Sequence, residues 1–439
     1  MTAFIRGLLA RRLVRDVALS YVFTGATMVV SLVSGIIVVR LLGLDGRGEV
    51  AAILAVTQVA TWIFAMGCKE AASFHLARHP DQGGVLIGSW LVLLIPFAVL
   101  GVAVSVAVLP VALAAQREEV VVLAQLFVTT IVLALALELL NGAILGDHRF
   151  VLWNWLRFAQ PAGVAVLYVV LWRLDVLTVS SALIANAAML VILVFAAGLW
   201  ALRRYGRPRA EVQLARSTLW YGLRVHGSMV AGTVNARLDL AIIPALVGAT
   251  SVGLYSVATN VATIVTMLSG TIVALVLPAA ARRAERGAVT VVASMYVALG
   301  VGVLGAVVVA LVADVMLKLL YGVEAVAAAQ PLRVLLVGSV LLMPGLVLCQ
   351  GLSAANRPLT STIPQITGSV VTVVGLWFFL RDGGILAAAW VTTAAYAVVL
   401  AMALVLYRRV AGLSWRALLP AQSLAALRSR PDAGLEGPW

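Results

Sequence analysis

Ionisable side chains inside long apolar runs are costly in hydrocarbon and normally face a partner or a water-filled cavity. This sequence carries a set of them. Lys69 and Glu70 fall in one run, Glu138 in another, and Arg224, His226, Arg237 and Asp239, with Asn235, in a third. Arg157, with Gln160 one turn later, and Arg333 lie nearer the ends of their runs. The chemistry open to these residues is electrostatic: cations can hold phosphate oxygens, and carboxylates or a histidine can exchange protons.

Position within the runs suggests how these groups meet. At about 1.5 Å of rise per residue, Lys69, Glu70 and Glu138 all lie roughly 12 Å from the same ends of their helices, so contact is permitted. Two readings follow: Glu138 neutralises Lys69 and staples two helices, or Lys69 faces a diphosphate and Glu138 exchanges protons. Arg237 and Asp239 are two residues apart and point to nearly opposite sides of a helix, so each needs its own partner. For Arg237 that partner is either substrate phosphate or another helix. Arg224 is close enough to the surface to snorkel, or it guides an anionic headgroup inward. His226 can titrate near neutrality, although a lone histidine is more often structural. Arg157 and Arg333 also read as interfacial anchors. The segment Asp45-Gly46-Arg47-Gly48-Glu49 offers two carboxylates, but its glycines suit a tight turn rather than catalysis.

The elements that must position these residues are membrane spans. Apolar residues make up 63% of the chain and charged residues 11%, and the mean hydropathy is +1.08, outside the soluble range. A spanning helix needs about 20 mostly apolar residues. Twelve runs qualify, roughly 17–42, 50–77, 84–109, 120–146, 153–174, 176–202, 218–247, 253–281, 287–313, 328–352, 358–380 and 384–408. Most of the 31 basic residues, among them Arg11, Arg12, Arg78, Arg149, Arg203, Arg204, Arg282, Arg357 and Arg408, then fall on one side. The other side receives few, such as Arg40, Arg47, Arg117 and Lys318. By the positive-inside rule both termini are expected in the cytoplasm.

The net charge of +13 is scattered over juxtamembrane loops, so no nucleic-acid partner is expected. Cys68 and Cys349 lie in apolar runs and read as small buried hydrophobes, with neither a disulfide nor a metal site. The charged start followed by a full-length run reads as an uncleaved first helix.

The chain also repeats itself. The stretch from Arg203 to Ser217 divides the runs six and six, and Leu42-Gly43-Leu44-Asp45-Gly46-Arg47-Gly48 aligns with Val247-Gly248-Ala249-Thr250-Ser251-Val252-Gly253. Ala182-Leu183-Ile184-Ala185 parallels Ala389-Trp390-Val391-Thr392, and Arg149 and Arg357 occupy equivalent loops. With six spans in each half, the halves enter from the same side as a parallel repeat. The expected architecture is an all-α polytopic membrane protein. Its N-terminal lobe is 1–205, its cytoplasmic linker 206–217, its C-terminal lobe 218–410 and its cytoplasmic tail 411–439, with a central cavity between the lobes.

At this point the sequence resembles the polysaccharide flippase branch of the MOP superfamily, the multidrug, oligosaccharidyl-lipid and polysaccharide exporters. The resemblance rests on Leu-Leu-Gly-x-x-Gly-Arg-Gly-Glu at 41–49, Gly222-Leu223-Arg224, Arg237-Leu238-Asp239, Gly253-Leu254-Tyr255-Ser256-Val257-Ala258, Tyr321-Gly322-Val323-Glu324 and Asn356-Arg357-Pro358. It implies transfer of undecaprenyl-diphosphate-linked oligosaccharide from the inner to the outer leaflet of a bacterial cytoplasmic membrane, driven by an ion gradient or the membrane potential. Expected partners are the lipid-linked oligosaccharide, membrane lipids and other polysaccharide-assembly proteins; the protein is expected to be a monomer without cofactors. Lys69, Arg157, Arg224 and Arg237 are the candidate diphosphate ligands, and Glu70, Glu138, His226 and Asp239 the candidate coupling groups.

Two alternatives remain open. A cation exporter of the MATE type would be expected to place carboxylates in its first lobe, whereas the first run has no acid between Asp16 and Asp45. Counted together, the intrasegment charges leave an excess of two positives, which favours an anionic substrate. A membrane glycosyltransferase or polymerase would call for a sizeable outer loop bearing acids, and the outer loops here are short. No Walker-type motif is present.

Overall fold

A computed structural model describes residues 2–235, 238–281, 287–355 and 357–415. The described residues are almost entirely helical: α1 (Thr2–Phe64), α2 (Cys68–Arg78), α3 (Gly83–Ala112), α4 (Glu118–Phe127), α5 (Ile131–Gly146), α6 (Phe150–Arg173), α7 (Val179–Tyr205), α8 (Val212–Asn235), α9 (Leu238–Ile242), α10 (Ala249–Ala281), α11 (Gly287–Tyr321), α12 (Ala329–Ala354) and α13 (Pro358–Val410). Short 3-10 turns join several of them. Helix is the form that satisfies its own backbone groups in lipid. Among the described residues eight helical stretches are long and apolar enough to cross a membrane.

Two of these helices are double. α1 bends at Gly43 (φ 72°, ψ −177°) and α13 at Gly384 (φ 57°, ψ −153°). Such backbone suits glycine, which has no Cβ to clash. Divided at these bends, the eight stretches account for ten of the twelve expected spans, with several boundaries moved; the expected spans 218–247 and 253–281 correspond to α8 with α9 and to α10. The last turns of α11 run on to Tyr321 rather than stopping near 313. The largest departure is in the second span, expected as one helix over 50–77. It breaks at Met66 (φ 49°) and Gly67 (φ 70°) before resuming as α2. The fourth span is also divided, with a 3-10 turn at Val128–Thr130 between α4 and α5.

The expected tight turn at 45–49 is helical instead. Gly43 alone makes the bend, while Gly46 and Gly48 lie in the helix that follows. Gly48 is glycine for another reason: a Cβ there would meet the Ala249 carbonyl at 1.8 Å and the Gly253 nitrogen at 2.8 Å. Reciprocally, a Cβ on Gly253 would meet the Leu44 carbonyl at 2.1 Å. Since residues 44 and 48 align with 249 and 253, repeat-related positions pack on one another as across a local two-fold axis. Arg149 and Arg357 are alike at the other end. Each is the N-cap of the next helix, and their backbone nitrogens donate to Ile144 and Leu352, five residues back, at 3.0 Å in both cases.

The chain divides into two compact units. The first comprises 1–257, 317–327 and 380–385, the second 258–316, 328–379 and 386–439. Within the second, α12 turns small residues toward the latter half of α13: Gly338 faces Thr393, Gly345 faces Leu400, and Gly351 faces Tyr407 and Val291. Close approach through small residues is how helices associate in lipid, where apolar burial offers little drive. Cys68, in the first unit, and Cys349, in the second, are both buried.

Candidate substrate site

The candidate site is built in the first unit around the interrupted second span. Interruption frees backbone groups that a continuous helix would have paired. The carbonyl of Ile63 is one of them, and His226 Nε2 on α8 lies 3.0 Å from it and donates to it. One turn earlier on α8, Gly222 lets the helices touch: a Cβ on Gly67 would meet the Gly222 carbonyl oxygen at 2.3 Å, and one on Gly222 the Met66 oxygen at 2.7 Å. Gly222 and His226 are four residues apart, hence on one face of α8. Arg224, between them in sequence, points to the other side and is exposed.

Just beyond the break, Lys69 turns toward α5. Its Nζ lies 3.3 Å from Glu138 Oε2, and the two side chains remain 31% and 29% exposed. Glycine again sets the distance. A Cβ on Gly142, one turn past Glu138, would meet the Lys69 carbonyl at 2.3 Å, and one on Gly146 would meet Leu76 Cβ at 2.8 Å. α5 therefore lies against α2 along this whole seam. Arg157 on α6 is within electrostatic reach of Glu138, and its guanidinium stacks 4.5 Å from the Trp153 ring centre. Lys69 is thus ion-paired with this carboxylate, and Arg157 acts on it from beyond ion-pairing distance.

Glu70, one residue on, is turned elsewhere and reaches the Tyr221 hydroxyl on α8 electrostatically. Tyr221 stacks on Phe74 at 4.2 Å, and Arg78 sits 4.0 Å from the Phe74 ring centre. This column of ring and guanidinium lies on the α2 flank facing α8, toward the helix end expected to be cytoplasmic.

Asp239 lies apart from this group. It is 5% exposed, and its carboxylate accepts from the Leu240 backbone nitrogen at 2.8 Å and from the Tyr255 hydroxyl at 2.7 Å. The geometry is that of a buried, hydrogen-bonded fixture at the start of α9. Arg237 lies outside the described residues. Arg333 on α12 is ion-paired with Asp314 on α11.

Of the eight candidates, the structure therefore pairs Lys69 with Glu138, places Arg157 within electrostatic reach of that carboxylate and Glu70 next to Lys69 in sequence, and sets Arg224, His226 and Asp239 in other surroundings. The break at Met66 and Gly67, the histidine that caps it and the Phe74–Tyr221 stack escaped the sequence reading. The one legible signal was a glycine after methionine inside an otherwise apolar run; which helix passes there is not written locally.

Similar folds are known. The chain matches a structure described as the lipid II flippase MurJ in an inward closed conformation, with a TM-score of 0.77 and 12% identity over 95% of this chain and 94% of that one. It matches an inward-facing multidrug resistance MATE family transporter of the MOP superfamily with a TM-score of 0.74 and 16% identity over 88% and 95%. A MOP superfamily transporter from Pyrococcus furiosus, described by the reversed polarity of its binding pocket, matches with a TM-score of 0.60 and 16% identity over 91% and 95%. At these identities the likeness is one of fold. No curated protein matches the chain in sequence. Residues 13–284 match the family described as polysaccharide biosynthesis protein, and the chain, a multi-pass membrane protein with the fold of MOP superfamily transporters, belongs to that family.

Proposed function

We propose that this protein is a flippase that carries an oligosaccharide linked to a polyprenyl diphosphate from the inner to the outer leaflet of a bacterial cytoplasmic membrane by alternating access. The observation that carries the reading is Lys69 in the first-half helices, ion-paired with Glu138 yet partly exposed, with Arg157 within electrostatic reach of the same carboxylate. Cations held at membrane depth, where they are costly, suit the phosphate oxygens of a lipid-linked sugar. Membership of the polysaccharide biosynthesis family supports the saccharide part of the substrate.

In this mechanism the diphosphate is held by Lys69 and Arg157 while the polyprenyl tail stays in lipid, and no covalent bond is broken. The membrane potential alone favours export: a charge crossing it gains about 2.3 kcal/mol per 100 mV, and an anion leaving an inside-negative cell moves downhill. The sugar-bearing head crosses where water and polar side chains replace its hydration. Arg237 is proposed as a further phosphate ligand. Arg224 is assigned to guidance of the head, and Glu70 to orientation of the column formed by Phe74 and Tyr221.

The MATE-type alternative draws on the comparable fold similarity. Against it, Glu138 already has a lysine at 3.3 Å, so it is not a free anionic site for a cationic drug. Deletion and complementation in the source cell tests the choice, with lipid-linked saccharide scored on each leaflet by an impermeant sugar-modifying probe. Accumulation on the inner leaflet, reversed by the intact gene, is the expected result. Unchanged sidedness with altered efflux of cationic dyes would transfer the protein to the exporter reading.

A further inference from the structure

We infer that Glu138 is a tethered counter-anion that the substrate diphosphate must displace, and that it sets both the selectivity and the resetting of the carrier; this rests on the flippase reading of the same site. Three observations carry it. The Lys69–Glu138 separation of 3.3 Å is longer than the usual charge-assisted contact, and neither side chain is sealed from approach. Arg157 is within electrostatic reach of the same carboxylate, yet among the described residues no carboxylate lies within ion-pairing distance of its guanidinium. Finally, Gly142 and Gly146 already bring α5 and α2 to backbone contact, so the two helices cannot close further around a ligand. The exchange is therefore assigned to rotation of the Glu138 side chain.

The consequences are chemical. A tethered carboxylate competes with any incoming anion at high effective concentration. A singly charged anion replaces one lysine contact with another of the same kind and gains little. A diphosphate offers oxygens to Lys69 and Arg157 together and displaces Glu138 from Lys69. When the lipid departs, Glu138 swings back, so the lysine is not left bare in the membrane during return of the empty carrier. Glu138 thus weakens binding and speeds turnover, the reverse of what a substrate ligand or a mere staple would do.

The test uses purified full-length protein in detergent and farnesyl diphosphate as the probe, with inorganic phosphate as the monovalent-like competitor, alongside export measured in cells. Glu138→Gln is expected to bind the probe about tenfold more tightly, the scale set by removing a like charge a few ångströms from the site. It should bind phosphate more readily than wild type and export more slowly. Glu138→Asp, which shortens the tether while keeping the charge and so guards against a misfolded glutamine variant, is expected to tighten binding to a smaller degree. Lys69→Gln should lose probe binding in either background. Unchanged or weaker probe binding by both Glu138 variants, with wild-type binding intact and dependent on Lys69, would overturn the counter-anion role and leave the flippase reading standing. Failure of wild-type protein to bind the probe at all would remove the flippase reading of the site and this inference with it.

Discussion

Two charged regions of the first unit differ in how completely their charges are used. At the rim expected to face outward, Arg40 donates to the carbonyls of Leu319 and Leu320, Arg117 pairs with Glu49, Thr250 donates to Asp45, Arg47 reaches Ser256 Oγ at 3.2 Å, and Gln116 donates to the carbonyls of Pro244 and Val247. Each of these named charges ends on a backbone or side-chain partner, and several contacts tie first-half elements to pieces of the second half. Within the first-half helices, Lys69 pairs with Glu138, Arg157 lies within electrostatic reach of the same carboxylate, and the Lys69–Glu138 pair remains partly open. The rim charges named are tied to partners, whereas Lys69 and Glu138 stay open to approach. What separates them is unspent valence rather than the number of ions.

Substitutions should expose this contrast. The largest effect is expected from Lys69→Ala, which should abolish export while the protein still inserts and purifies; normal lipid-linked saccharide on the outer leaflet would merge the two regions into one structural class. Next, Gly142→Ala places a methyl against the Lys69 backbone, where overpacking costs about 1–3 kcal/mol. It should lower the unfolding midpoint in a denaturant titration and reduce export by parting Glu138 from Lys69.

His226→Ala removes the donor to the freed Ile63 carbonyl, a loss of about 1 kcal/mol for one hydrogen bond. Stability is expected to fall modestly, and His226→Asn, which restores a donor, should recover part of it. An unchanged midpoint in the alanine variant would mean that the break caps itself. At the rim, Arg117→Ala should leave export intact.

The smallest effect concerns Asp147, outside the spans. Burial pushes its carboxyl up, but hydrogen bonds and charge from Arg204, with help from Arg149, outweigh this and hold it below the usual range. A group depressed in this way stabilises the fold above its unfolded pKa of about 3.9, and that contribution is lost as pH falls through the lower folded value. Asp147→Asn should therefore flatten the acid end of the stability profile and leave neutral-pH export unchanged.

Several of these relations were legible before any coordinates. Lys69 and Glu138 stood at matching depths in neighbouring spans, and they meet. Gly48 and Gly253 stood at one repeat offset, and they touch. His226 was not legible as a cap, because its partner is a carbonyl freed only when the second span breaks 163 residues earlier in the chain. Asp239 carried the same intrasegment signal as Glu138, yet it is buried and bonded to Tyr255. The signal for an ionisable residue in an apolar run is identical for a buried group and for a partly exposed one.

The sequence by itself determined the apolar runs and the expectations of sidedness and duplication, because these depend on hydropathy, loop charge and residue spacing along one chain. Tertiary structure alone decided which carboxylate answers which cation, where the second span breaks and which glycines are contact points rather than turns. Those outcomes depend on which helix faces pack together, and a side chain's partner across a helix seam is a property of that packing rather than of its neighbours in sequence.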